Sequence, residues 1–215
     1  MSYNNYNVKH EGLFSVAGSQ KRGGKNAMSD IGMQESFHYV ILKGRKETPW
    51  LADECVKKRF LNQLLKEREK ISFRVYAFCI LDKEAHFLVN IPAYGDIRRT
   101  AAKMSQGLQK SYLRQYPQGK EKVSVSRKHL SPCSLATVLE YCCNIHLLAR
   151  GYAGKIQDYW WSSYSEYLRK NVTGLVETEP ILQALDAEPR RALQKFIQYH
   201  EKYALLIKNV PERKK

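Results

Sequence analysis

The sequence predicts an α+β fold: a ferredoxin-like antiparallel sheet backed by helices on one face, with a helical C-terminal extension. Three observations carry this expectation. Three short segments are rich in β-branched and aromatic residues, the composition of strands. Longer stretches between them repeat apolar residues at helical spacing. The resulting order is strand, helix, strand, strand, helix, weak strand, helix, which is the split βαβ arrangement.

The elements follow in order. Phe37-His-Tyr-Val-Ile-Leu42 reads as the first strand and Lys43 to Pro49 as a basic turn. Ala52 to Lys70 carries Val56, Phe60, Leu61, Leu64 and Leu65 as one helical stripe. Ser72 to Leu81 and Glu84 to Ile91 are two strands around a tight Asp82-Lys83 turn. Asp96 to Tyr116 is a second amphipathic helix, ended by Pro117-Gln-Gly. Val123-Ser-Val125 reads as a short edge strand. Pro132 to Leu148 is a third helix, with Ser131 as N-cap and Pro132 at its first position. Residues 179–209 hold one or two further helices.

Three units are expected. Residues 1–33 form a polar, Gly-rich and basic arm that cannot pack. Residues 34–170 form the main domain. Residues 171–215 form a helical extension with the basic tail Arg213-Lys-Lys215.

Thirty-six Lys and Arg stand against 21 Asp and Glu, a net charge of +15. That excess favours polyanionic partners. Fourteen Tyr and three Trp add faces on which unpaired bases stack. No apolar run reaches the roughly 18–20 residues of a membrane span, and the N-terminus lacks the apolar core of a secretory signal. The five cysteines contain no Cys-x-x-Cys pair. They are read as reduced thiols of a cytoplasmic protein.

The stretch from Phe78 to Val89 carries the chemistry. Glu84 and His86 lie two residues apart inside an apolar strand, so both point to the face opposite Ala85. A carboxylate and an imidazole so placed are candidate ligands for a hard divalent cation. Lys43, Arg45 and Lys46 follow the first strand; Arg98, Arg99, Lys103, Arg127 and Lys128 are candidates to flank the same face. Such side chains position nucleic acid through its phosphates. Tyr159, Trp160 and Trp161 are candidate stacking platforms, with one of the two tryptophans assigned to the core.

These residues resemble the REP-associated tyrosine transposases, relatives of small insertion-sequence transposases that act on single-stranded DNA hairpins. The likeness spans roughly residues 35–200. It rests on Phe37-His-Tyr-Val-Ile-Leu-Lys-Gly-Arg45, on Phe73 to Val89 with its acidic-x-His core, on Ile145-His-Leu147 and on Asp158-Tyr-Trp-Trp-Ser-Ser-Tyr164. The family carries a His-hydrophobe-His (HUH) metal motif. The resemblance therefore implies an ion, Mg²⁺ or Mn²⁺, at the first and second motif positions, which are Glu84 and His86 here.

The resemblance also implies departures. The family's helix tyrosine attacks the phosphate and becomes attached to the 5′ end. Alignment on Ile145-His-Leu puts Asn144 at that place, and Leu148 at the third metal-ligand position one turn later. Neither can do that work. Three altered positions together predict a catalytically degenerate, transposase-derived protein that binds hairpin or single-stranded nucleic acid, DNA before RNA. A register shifted by three residues makes Tyr141 the nucleophile of an active metal-dependent transposase. A third reading is an accessory subunit that binds an RNA, or a protein encoded by a neighbouring gene.

Overall fold

A computed structural model describes residues 36–44, 49–92, 95–130, 134–168 and 173–208. The expected N-terminal arm, the basic residues Arg45 and Lys46, the Ser131–Pro132 helix start and the basic tail lie outside the described residues.

Four antiparallel strands form the sheet: β1 (Ser36–Gly44), β2 (Arg74–Ile80), β3 (Glu84–Ile91) and β4 (Val123–His129), in the order β2-β3-β1-β4. With α1 (Glu54–Lys70) and α2 (Ile97–Gln115) between them, this is the ferredoxin-like order expected from the sequence. Lys43 belongs to β1, opposite Glu84 on β3, rather than to the turn that follows. The weak edge strand is longer than its apolar residues indicate, because β1 pairs with it as far as His129.

The two faces of the sheet differ. Val40, Leu42, Ala85, Phe87 and Phe78 share one face, where the Phe60 ring of α1 meets Phe87 edge-on at 5.8 Å. Capping fits the sequence: Asp53 accepts from the Cys55 amide and Asp96 from the Arg98 amide. The other face carries Tyr39, Ile41, Lys43, Glu84, His86 and Lys128. Here α3 (Leu135–Leu147) packs, so helices cover both faces rather than one. Its N-cap is Ser134, whose hydroxyl accepts from the Thr137 amide, three residues after the position expected from Ser131-Pro132.

The free edge of β2 is closed by the Tyr-Trp-Trp-Ser-Ser-Tyr segment. Ile80 N–H donates to Trp161 O, Ser163 N–H donates to Phe78 O, and Val176 bridges Val75 farther along. Trp161 is buried while Trp160 is 61% exposed, so Trp161 is the core member of the pair. Two helices, α4 (Glu179–Leu185) and α5 (Pro189–Lys208), complete the described chain. Cys55, Cys79, Cys142 and Cys143 are free thiols, and no described helix is long and apolar enough to cross a membrane.

α5 joins the rest through a sealed polar chain. His200 Nδ1 lies 2.9 Å from the Phe196 carbonyl, which can only accept, so His200 Nε2 is an acceptor. His146 Nδ1–H therefore donates to it at 2.9 Å. His146 Nε2 then accepts from Ser163 Oγ at 2.8 Å, and Ser163 Oγ accepts the Phe78 amide at 2.8 Å. One chain of neutral groups thus ties α3, α5 and β2 together.

Candidate functional site

The turn that presents Glu84 is clamped from three sides. Leu81 N–H donates to Glu84 O across the two-residue Asp82-Lys83 loop. Trp50 Nε1–H donates to Lys83 O and Leu51 N–H to Asp82 O, both at 2.8 Å. Lys57, 3% exposed, reaches the turn from α1 and pairs with Asp82 at 3.0 Å. Its ammonium also stands 5.9 Å from the Tyr159 ring and 5.8 Å from that of Trp161. A lysine can be buried there because a carboxylate and two aromatic faces replace its water.

Glu84 and His86 point to the same face, as their spacing predicts. Glu84 Oε1 lies 3.1 Å from His86 Nε2. The approach is close but falls short of a well-formed N–H···O bond at the buried Nε2. His86 Nδ1 is held by the Tyr39 hydroxyl at 2.6 Å, and the two rings stack 5.8 Å apart. A hydroxyl both donates and accepts, so Tyr39 can hold His86 in either tautomer. The His86 ring beside it, aided by Lys43 and Lys83, holds the Glu84 carboxyl below its ordinary range against the opposing effect of burial. Burial, with Glu84 second, pushes the Tyr39 phenol well above its ordinary value, so Tyr39 stays neutral.

This pair fits part of a divalent-ion site. Two ligands at right angles, each about 2.1 Å from an ion, lie about 3.0 Å apart. The observed separation of 3.1 Å matches that bite. In the tautomer that gives Nδ1–H to Tyr39, the Nε2 lone pair would be available to an ion beside the carboxylate; in the other, Nε2–H faces Glu84. Mg²⁺ and Mn²⁺ commonly take few protein ligands, and waters or phosphate oxygens complete the shell. No group of three or more His, Cys, Asp and Glu side chains suited to one metal ion occurs among the described residues.

Tyr141 and Asn144 take different surroundings on α3. The Tyr141 ring packs 5.4 Å from Tyr39, the residue that holds His86, and Lys128 Nζ sits 5.5 Å from its centre. Asn144 Oδ1 accepts from the Tyr203 hydroxyl of α5 at 3.1 Å. Leu148, at the helix end, packs against the core. Residues three apart on a helix are near neighbours, yet here one meets the sheet cluster and the other meets α5.

The basic residues divide as well. Lys43 and Lys128 share the face of Glu84 and His86, in register with Glu84 and Tyr39 respectively. Arg127 sits opposite Val40 on the other face, where it helps to depress the buried His38 imidazole after burial itself and His129. Arg98, Arg99 and Lys103 are exposed on α2, which packs against α1, the helix that lies over that other face. The sequence-based grouping of five cations around one site therefore reduces to Lys128, with Lys43 alongside. Tyr39, which touches His86 and Tyr141, was missed because a strand tyrosine is an ordinary residue; its i, i+2 alternation with Lys43 and Ile41 was the available signal.

A REP-associated tyrosine transposase, solved bound to a REP hairpin, is similar with a TM-score of 0.50 and 11% sequence identity, covering 74% of this chain and 88% of that one. A candidate transposase from Deinococcus radiodurans R1 gives a TM-score of 0.40 at 14% identity, over 59% of this chain and 96% of the other. No protein-family profile and no curated protein matches the sequence. At such identities the first likeness establishes the fold: the chain has the fold of a REP-associated tyrosine transposase.

Proposed function

We propose that this protein is a transposase-derived binder of hairpin or single-stranded nucleic acid, DNA in the first place, that uses the sheet face around Glu84 and His86. One observation carries the reading: that face gathers Lys43, Lys128, Tyr39 and Tyr141 around the Glu84–His86 pair. The chain's +15 charge draws the polyanion, and the two lysines locate its backbone. The REP hairpin in the structurally similar transposase supports the choice of a hairpin as ligand. A native-gel titration with labelled DNA hairpins tests it. Binding at moderate salt that falls steeply as salt rises is the expected result; no binding to any hairpin or single strand overturns it.

The position of Tyr141 favours a second reading, an active strand-cleaving enzyme. Glu84 and His86 would hold Mg²⁺ or Mn²⁺, and the bound ion would polarise the scissile phosphate. The Tyr141 oxygen would form a bond to phosphorus, and the P–O3′ bond would break. The tyrosine proton would end on the released 3′ oxygen and the 5′ end would stay on Tyr141. Incubation with Mn²⁺ and hairpin DNA, then a denaturing gel, separates the readings. A covalent adduct absent in Tyr141→Phe establishes cleavage; no adduct with retained binding leaves a recognition protein.

A further inference from the structure

His38 and His129 bring two imidazoles together on the face of the sheet opposite Glu84 and His86, toward the other end of β1. The Leu130 amide donates to the carbonyl of Phe37 directly across from it, so Phe37 and Leu130 form a hydrogen-bonded pair where β1 meets β4. His38–His129, the next pair along, is therefore of the non-hydrogen-bonded kind, in which cross-strand side chains stand closest. Their ring centres lie 5.0 Å apart, and the ring planes are tilted by 40° rather than stacked.

That separation suits chelation. An imidazole centre stands about 3.2 Å from an ion bound at about 2.1 Å, so two imidazoles sharing one ion at angles of about 90–110° have centres about 4.5–5.2 Å apart. Buried His38 meets the Ser36 hydroxyl through Nε2, at 2.9 Å. A hydroxyl can accept Nε2–H, which leaves the Nδ1 lone pair as a ligand and supplies the outer contact that orients metal-bound imidazoles. Among the described residues no hydrogen bond engages Nδ1 of His38 or either nitrogen of the exposed His129. Burial first, then His129 and Arg127, hold the His38 imidazole below its ordinary value, so near pH 7 it is neutral, the form that binds metal. Arg127 shares this face and opposes a cation, which keeps the affinity below that of a closed site. Two neutral nitrogens select a borderline transition ion over Mg²⁺ or Mn²⁺, which favour oxygen.

We propose that His38 and His129 hold a borderline transition ion, Zn²⁺ or Cu²⁺, that clips the edge strand β4 to β1, with Ser36 orienting His38 and water completing the shell. The site is separate from the Glu84–His86 pair and does not depend on the nucleic-acid-binding reading above.

The test is a calorimetric titration of the full chain with Zn²⁺ near neutral pH, paired with melting scans. His129 is exposed, so His129→Ala should melt like the parent when no metal is added. It should bind one Zn²⁺ fewer than the parent and lose the rise in melting temperature that the ion gives by binding only the folded chain. Ser36→Ala should weaken the same binding about tenfold. Glu84→Gln/His86→Gln should keep the His129-dependent ion, which separates the two sites. A parent that binds no Zn²⁺, or a His129→Ala chain that binds as much of it as tightly, overturns the proposal. Unchanged affinity in Ser36→Ala would remove Ser36 from the site.

Discussion

Two clusters in this protein are built around a buried histidine, and they contrast at every point. The His146–His200–Ser163 chain is sealed and each polar atom in it has a partner. The His86 cluster is left unfinished: Nε2 is buried, makes no well-formed hydrogen bond and lies 3.1 Å from a carboxylate that solvent still reaches. The first arrangement joins helices. The second sets an imidazole nitrogen and a carboxylate side by side, where something that comes from outside can take up the pair. Burial of a histidine therefore says little; what its nitrogens lack says more.

Breaking the sealed cluster should have the largest effect. His146→Ala removes the shared partner of His200 and Ser163 and leaves a cavity, at a cost of about 3–5 kcal/mol. Thermal denaturation should show a fall on the order of 10 °C. His86→Ala should cost less than half as much, since it deletes one hydrogen bond at a site already short of partners. Equal losses would erase the contrast.

Acid should separate the clusters next. Burial depresses the His200 imidazole to about 4 and holds His146 well below its ordinary value. Protonation of His200 at Nε2 would set its N–H against the His146 Nδ1–H at 2.9 Å, and protonation of His146 at Nε2 would take away the acceptor of the Ser163 hydroxyl. Both histidines are neutral in the folded protein and charge more readily when unfolded. Their stabilisation is thus complete above about pH 6.5 and is lost as pH falls toward 4. For His200 alone it is on the order of 3 kcal/mol. Melting scans across that window should show a steep fall, and His200→Gln should flatten it. A slope unchanged in His200→Gln would contradict the neutral chain.

Much of the sheet was legible because β-branched composition and helical stripes agree with the final packing, as in β3, where the predicted and observed ends coincide. The start of α3 was misread because Ser131-Pro132 and Ser134 are both sound N-terminal signals, and local chemistry does not rank them. The shared face of Glu84 and His86 follows from strand period alone. Which basic residues join them does not: Arg127 and Lys128 are adjacent, and alternation sends them to opposite faces. The choice between Tyr141 and Asn144 also depends on a partner, Tyr203, far along the chain. Ile145-His-Leu and Trp-Ser-Ser-Tyr proved structural, since His146 and Ser163 bond to each other in the core.

The open cluster can be sharpened through Tyr39. Tyr39→Phe removes the hydroxyl that orients His86 yet keeps the ring that packs on Tyr141. Loss of such an orienting partner typically weakens metal binding by about 10–100-fold. Calorimetric titration with Mn²⁺ should show that loss with a melting temperature changed by only a few degrees. Unchanged Mn²⁺ affinity would mean that the Glu84–His86 pair is not held for an ion.

The most direct test asks which face of the sheet meets nucleic acid. Hairpin-DNA affinity should be compared, across a salt series, for Lys43→Ala/Lys128→Ala and for Arg98→Ala/Arg99→Ala/Lys103→Ala. The account predicts that the double variant, on the Glu84–His86 face, binds more weakly and loses about two units of salt slope, one per phosphate contact. The triple variant, on α2, which packs against α1 over the opposite face, should stay close to the parent despite losing more charge. A larger loss in the triple variant would place the interface on the wrong side of the sheet for this account.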